Sequence, residues 1–367
     1  MQFDRREFLA AGFAYAGAAL SQSTALSGMP GRWPGRVVTV HHPASYVSDR
    51  YQAEPVQRMI DRGMMDLTGA PSPTEAWRAL FEPGDVVGIK VNPVGFPHIC
   101  SAPEVLRPII AGLEHAGLKR RDIVVYDRYR DQFMRAGFHE WLPDGVRWMA
   151  ASEKYLDVQL DMEGYDRDVY METPLVNPAY SANYSLGDRH VRRSYVAKFL
   201  TREVKKLVNL CVLKHHQAAG VTLALKNLSH GLVNNVNRSH VSNTANVTGS
   251  FIPAVVDLPV FREKVVLNIL DGIKAAYHGG PGAKTGKYLW LHNTLYFATD
   301  PVALDKTGWK AIDAKRAEVG RPSIALLKPD ADSTRLNCQV EHIEVAGNIG
   351  LGVFQDEKIQ VRQVRLT

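Results

Sequence analysis

The chain has 367 residues, of which 45% are apolar and 22% charged, with a formal net charge of +6. Such a length carries one large α/β domain or two smaller ones with an ample core; the mild charge, without a Lys/Arg block or an aromatic cluster, speaks against a nucleic-acid partner. Three cysteines (Cys100, Cys211 and Cys338) without CxxC spacing exclude a four-cysteine iron–sulfur cluster or a cysteine zinc site built from the chain's own residues.

At the N-terminus DRREFL (Asp4–Leu9) precedes Ala11–Leu20, a weakly apolar stretch rich in Ala and Gly, and then the small residues Ser23–Ala25. Paired arginines, a mild apolar region and a small-residue exit resemble a twin-arginine export signal over residues 1–25. Asp4 and Ala10 depart from its usual pattern. The resemblance implies the twin-arginine export machinery as a partner and a folded protein in the periplasm. The apolar stretch is too short and Gly-rich for a stable membrane span after processing. Residues 26–35, rich in Gly, Pro, Arg and Trp, read as a linker.

From residue 36 to 367 the pattern predicts an α/β fold, a mostly parallel sheet flanked by helices. It forms either one domain or two packed halves, 36–165 and 196–367, with 166–195 an excursion or lid. Val37–Val40 reads as a strand, and Val56, Met59, Ile60, Met64 and Leu67 follow helical spacing. DVVGIKV (Asp85–Val91), the helix Ala102–Ala116 and DIVVYD (Asp122–Asp127) make a strand–helix–strand unit, hence a parallel crossover. It leaves Lys90, Asn92 and Asp127 at carboxyl ends of strands, where open α/β sheets bind ligands. Val208–Leu213 and Lys264–Asp271 read as further strands, and Thr222–His230 as a helix with Thr222 at its N-cap. Asp300 and Pro301 start a helix reaching about Val319, with Asp305 inside it; the tail from His342 to Leu366 alternates like edge strands.

Chemistry-bearing residues concentrate between Lys214 and His240, where Lys214, His215, His216, Lys226, Asn227, His230, Asn234, Asn235, Arg238 and His240 crowd together. On a helix, Lys226, Asn227 and His230 share one face, and Lys214–His216 reach the same crevice from the preceding strand. Lysines suit carboxylates and phosphates, and imidazoles suit divalent transition metals. The expectation is a small anionic ligand held by Lys90, Asn92 and Asn227, with Lys214, His216, Lys226 and His230 as the catalytic set. His215, His216, His230, His240 and Asp271 are the candidate ligands of a divalent transition metal. HGGPGAKTGK (His278–Lys287) is not a phosphate loop, because Pro281 stands where Gly is needed and Tyr288 where Ser or Thr would bind magnesium; it reads as a flexible loop over the site.

VGIKVN, LVNLCVLKHHQAAGVTLALKNLSHG, ILDGI, TDPVALD and the GLG around Leu351 together resemble the DUF362 family. The family's Lys-x-His, Gly-Val-Thr and Lys-Asn elements fall on Lys214, His216, Gly220–Thr222, Lys226 and Asn227. The iron–sulfur label of some members rests on an appended cysteine motif that this chain lacks. An enzyme acting on a small anionic metabolite through a His-bound metal is the first expectation. A non-catalytic periplasmic protein holding a ligand or cofactor is the alternative.

Overall fold

Continuous apolar runs such as VVLNIL and LVNLCVL can be satisfied only where both faces of a strand are covered, and they form the centre of a mixed sheet. The structure, a computed structural model, describes residues 28–177, 185, 187–240, 246–326 and 338–367. The expected export signal therefore lies outside the described residues. The strands are β1 (Arg36–His41), β2 (Tyr46–Val47), β3 (Arg50–Tyr51), β4 (Val87–Lys90), β5 (Ile123–Tyr129), β6 (Arg147–Ser152) and β7 (Tyr165–Glu172). They continue with β8 (Arg193–Ala197), β9 (Lys206–His216), β10 (Gly220–Val221), β11 (Val265–Ala276), β12 (Leu289–Ala298) and β13 (Gln360–Arg365). In the main sheet the order is β13-β1-β12-β11-β9-β4-β5-β6, with β10 paired only to β9. Along that path the neighbours run parallel except where β12 meets β1 and β11.

Strand alternation sorts the core into two layers. Val208 and Leu210 of β9, with Ile89 and Val125, pack beneath the helices Ala53–Thr68 and Pro103–His115. Leu207, Cys211 and Leu213 face the helices Leu223–Leu232, Thr248–Val256 and Pro301–Glu318 on the other side. Fully burying one such aliphatic side chain is worth about 1.5–3 kcal/mol, so the register of β9 is strongly specified. A one-residue slip would exchange its two faces.

Three expectations change. The tail is not a run of edge strands: His342–Asn348 is a short helix, and only Gln360–Arg365 pairs with the sheet, parallel to β1. Residues 28–35 are held to the body rather than free, with Met29 N donating to Arg262 O (2.6 Å) and Gly35 N to Asp300 Oδ2 (2.9 Å). Thr222 precedes the Leu223–Leu232 helix without capping it, its side chain making no cap hydrogen bond. The cap comes from Asp305 in the helix Pro301–Glu318, whose carboxylate accepts from Ala224 N (2.7 Å) and Leu225 N (2.9 Å).

Asp305 thus satisfies two of the four amides that every helix N-terminus leaves open. Asp305→Ala is expected to cost about 1–2 kcal/mol and to loosen the first turn of that helix. Amide hydrogen exchange at Ala224 and Leu225 reads the effect; unchanged protection there would contradict the cap.

The region expected as an excursion forms a two-stranded antiparallel ribbon, β7 with β8, outside the main sheet. The Asn-rich turn after the helix Leu223–Leu232 fastens it. Tyr195 N donates to Asn234 Oδ1 (2.7 Å), Asn235 Nδ2 donates to Val191 O (3.0 Å) and Arg193 O (2.9 Å), and Arg238 donates to Arg192 O (2.5 Å) and Ser194 Oγ (2.9 Å). Asn234, Asn235 and Arg238 therefore spend polar groups on fastening the ribbon.

Candidate functional site

Because β4, β5 and β9 run parallel, their carboxyl ends open on one side, and the helix Leu223–Leu232 closes over them. Between them lies a cavity of about 340 Å³ lined by Lys90, Asn92, Asp127, Lys214, His216, Lys226, Asn227, His230 and His240, among others. Most of the chemistry expected from the Lys214–His240 stretch is brought together here.

A continuous chain of amides and amines forms the floor. Lys90 on β4, Asn209 on β9 and Asn268 on β11 occupy one row across the sheet. Asn268 Nδ2 donates to Thr299 O (3.2 Å), Asn209 Nδ2 to Asn268 Oδ1 (2.9 Å) and Asn227 Nδ2 to Asn209 Oδ1 (2.7 Å). Asn92 Nδ2 donates to Asn227 Oδ1 (2.9 Å), and Lys214 Nζ donates to Asn92 Oδ1 (2.9 Å) and to Val94 O. Every amide is satisfied, so the network is rigid, and it points the Lys214 amine at the cavity. Asn209 and Asn268 are structural members that the sequence reading passed over. Their signal was a single amide inside LVNLCVL and VVLNILD, a polar group in a buried strand that needs a partner.

Lys90 plays a different part from the one expected. Its ammonium donates to Val91 O (2.5 Å), Asp127 Oδ1 (2.6 Å) and Asn227 Oδ1 (3.3 Å), which occupies its three donor positions. It lines the cavity as a buried, neutralised cation. Gly231 faces it so closely that an added Cβ would stand 2.3 Å from Lys90 Cε. The helix and the strand meet at this distance only because that residue lacks a side chain.

Lys226 is the opposite case. It is 7% exposed, and among the described residues its amine makes no hydrogen bond or ion pair. Burial, reinforced by the neighbouring Lys214 and Arg128, brings its pKa down to about 7. Burial likewise lowers Lys214 to about 7, with Lys90 adding to the effect and Cys100 and Asp127 opposing it. Among the described residues the one carboxylate lining the cavity, Asp127, is already paired with Lys90. Arg128 is fixed beside them by Tyr165 Oη (3.1 Å) and Gln159 Oε1 (3.2 Å). Positive charge is therefore in excess.

Two of the imidazoles, His216 and His230, are tuned to stay neutral. His216 Nδ1 accepts from Ala218 N (3.1 Å) and Ala219 N (3.2 Å), which leaves the ring proton on Nε2. Burial, then Lys226, hold its pKa well below the ordinary histidine value. His230 lies between Ser229 Oγ and Ser239 Oγ, each 3.0 Å from a ring nitrogen, and the same two causes depress it.

The five-residue metal set does not assemble. His215 neighbours His216 on a strand, so the two rings leave on opposite faces; the His215 ring packs 5.1 Å from that of His278, outside the cavity. Asp271 lies in the layer of the helix Pro103–His115, where its carboxylate accepts from the backbone of Ile273 and Ala102; burial raises it to about 7. His230 has both nitrogens engaged. Among the described residues no group of three or more His, Cys, Asp or Glu is arranged to hold a metal ion. Pro281, from the loop His278–Lys287, does reach the cavity wall.

Residues 87–310 match a family described as a domain of unknown function, DUF362. Among curated proteins no sequence matches. A crystal structure of a protein from Thermotoga maritima aligns with a TM-score of 0.33 at 13% identity, over 61% of this chain and 52% of that one. The match thus spans about half of the neighbour's length. No described helix is long and apolar enough to cross a membrane.

Proposed function

We propose, from the premise that this chain belongs to the DUF362 family, that it is an enzyme acting on a small anionic metabolite in the Lys214–Lys226 cavity. The carrying observation is the Lys226 amine, buried beside two further cations without a partner among the described residues. An unpaired buried polar group costs about 1–3 kcal/mol, a cost that a bound carboxylate or phosphate removes. Lys214 and Lys226 hold the anion, Asn92 and Asn227 fix Lys214 in place, and His216 presents a neutral Nε2–H to an oxygen that gains charge during reaction. His230, with both nitrogens on serine hydroxyls, positions the helix that carries Lys226. No His-bound metal enters this reading, because His215 and Asp271 lie outside the cavity and serine hydroxyls engage both nitrogens of His230.

Calorimetry with oxalate, sulfate and inorganic phosphate tests the binding step. Saturable binding that Lys226→Met abolishes is expected; equal affinity in both proteins would refute it. Turnover follows from incubating bound carboxylates and phosphate esters and recording their NMR spectra. Binding without any conversion would turn the reading to a ligand-holding accessory protein.

We also propose that Arg5 and Arg6 direct folded export to the periplasm. Replacing both by Lys is expected to retain the protein in the cytoplasm on cell fractionation, and unaltered export would contradict it.

A further inference from the structure

Thr222, just before the helix Leu223–Leu232, and Lys226 and His230, one turn apart within it, line the cavity. Two of the three carry reactive groups without internal partners. Thr222 Oγ1 is buried with no hydrogen bond, and the Lys226 amine likewise has none among the described residues. On the same cavity, His216 Nε2–H has no acceptor among the described residues, while its other nitrogen accepts from both loop amides. Lys214, by contrast, is tethered at Asn92 and Val94. The four groups thus divide into one fixed amine and three free ends around a single cavity of about 340 Å³.

We propose that Lys226 condenses with the carbonyl group of a small 2-oxo acid to form a Schiff base, while Lys214 holds the acid's carboxylate. This rests on the anion-binding reading above and adds covalent chemistry to it. The lone pair of the neutral Lys226 amine adds to the carbonyl carbon, and the C–O π pair moves to oxygen. That oxygen is met by His216 Nε2–H and the Thr222 hydroxyl. One N–H proton passes to the oxygen to give a carbinolamine. The hydroxyl then leaves as water with a second proton, and the nitrogen lone pair closes the C=N bond. Amine and ketone become imine and water, so no oxidant or reductant is consumed. The imine draws electrons from the adjacent carbon, which is the use of such adducts in catalysis.

Burial supports the first step. An ordinary lysine presents roughly one neutral amine in a few thousand at pH 7, whereas Lys226, lowered to about 7, presents a large share of its amines unprotonated. Charge on Lys214 keeps it so by like-charge repulsion.

The full chain is incubated at pH 7 with pyruvate, and separately with glyoxylate, in the presence of sodium cyanoborohydride. Intact mass and peptide mapping follow, and calorimetry without reductant records affinity. One reduced adduct on Lys226 is expected, absent in Lys226→Arg, with the surface lysines essentially unlabelled. Oxo acids that bind without a reducible adduct, or labelling scattered over surface lysines, would overturn the Schiff base and leave the anion site standing. Failure of pyruvate, glyoxylate and oxalate alike to bind would overturn both.

Discussion

Asp127→Ala is expected to destabilise the protein by about 3–5 kcal/mol. Lys90 and Asp127 are 2.6 Å apart, with side chains only 2% and 5% exposed. Removing the carboxylate leaves an ammonium buried beside the Lys214 and Lys226 amines, with only neutral carbonyls as acceptors. The loss is therefore mainly the penalty of an uncompensated charge rather than the worth of the pair. Replacing both partners, as in Lys90→Met with Asp127→Leu, removes that penalty and should recover most of the stability. Urea denaturation of the two variants separates these effects. A single variant as stable as the parent would mean that the pair is solvated.

Lys226→Met is expected to act with opposite signs on stability and on function. A structural lysine loses stability when truncated. Here the amine has no partner among the described residues, so an apolar replacement of similar length should stabilise the ligand-free protein by about 1–3 kcal/mol while abolishing anion binding. The pH dependence follows from the lowered lysines. Between about 7 and the ordinary lysine value of 10.5 the unfolded chain holds protons that the folded Lys214 and Lys226 have released. Stability without ligand therefore rises with pH across that window. Anion affinity runs the other way: it is greatest below pH 7, where both amines are charged, and falls as pH climbs through about 7. Affinity flat from pH 6 to 9 would contradict the two lysines as its source.

The sheet was legible in the sequence where strands are buried on both faces. DVVGIKV, DIVVYD and KVVLNILD are too apolar for any other place, and Asp300–Pro301 marks a helix start whose carboxylate indeed accepts from Val302 N and Ala303 N. His342–Asn348 was not legible, since seven residues give two turns at most and no period to read. Helical spacing brought Lys226, Asn227 and His230 onto one face, and the end of β9 brought Lys214 and His216 to them. Strand parity was the missing constraint for His215 and Asp271, which depart to other layers. Composition also could not distinguish a polar group that serves a ligand from one that serves backbone. Asn234, Asn235 and Arg238 belong to the second kind, and only the position of the β7–β8 ribbon reveals it.

Anomalous diffraction from crystals soaked in selenate decides whether the paired lysines hold an anion, because selenium reports the position of a tetrahedral anion without reference to any substrate. A selenium peak is expected in the cavity between Lys214 and Lys226 in the parent protein, and its loss in Lys226→Met. Parent crystals with that cavity empty of selenium, or a peak that persists when Lys226 is replaced, would contradict it.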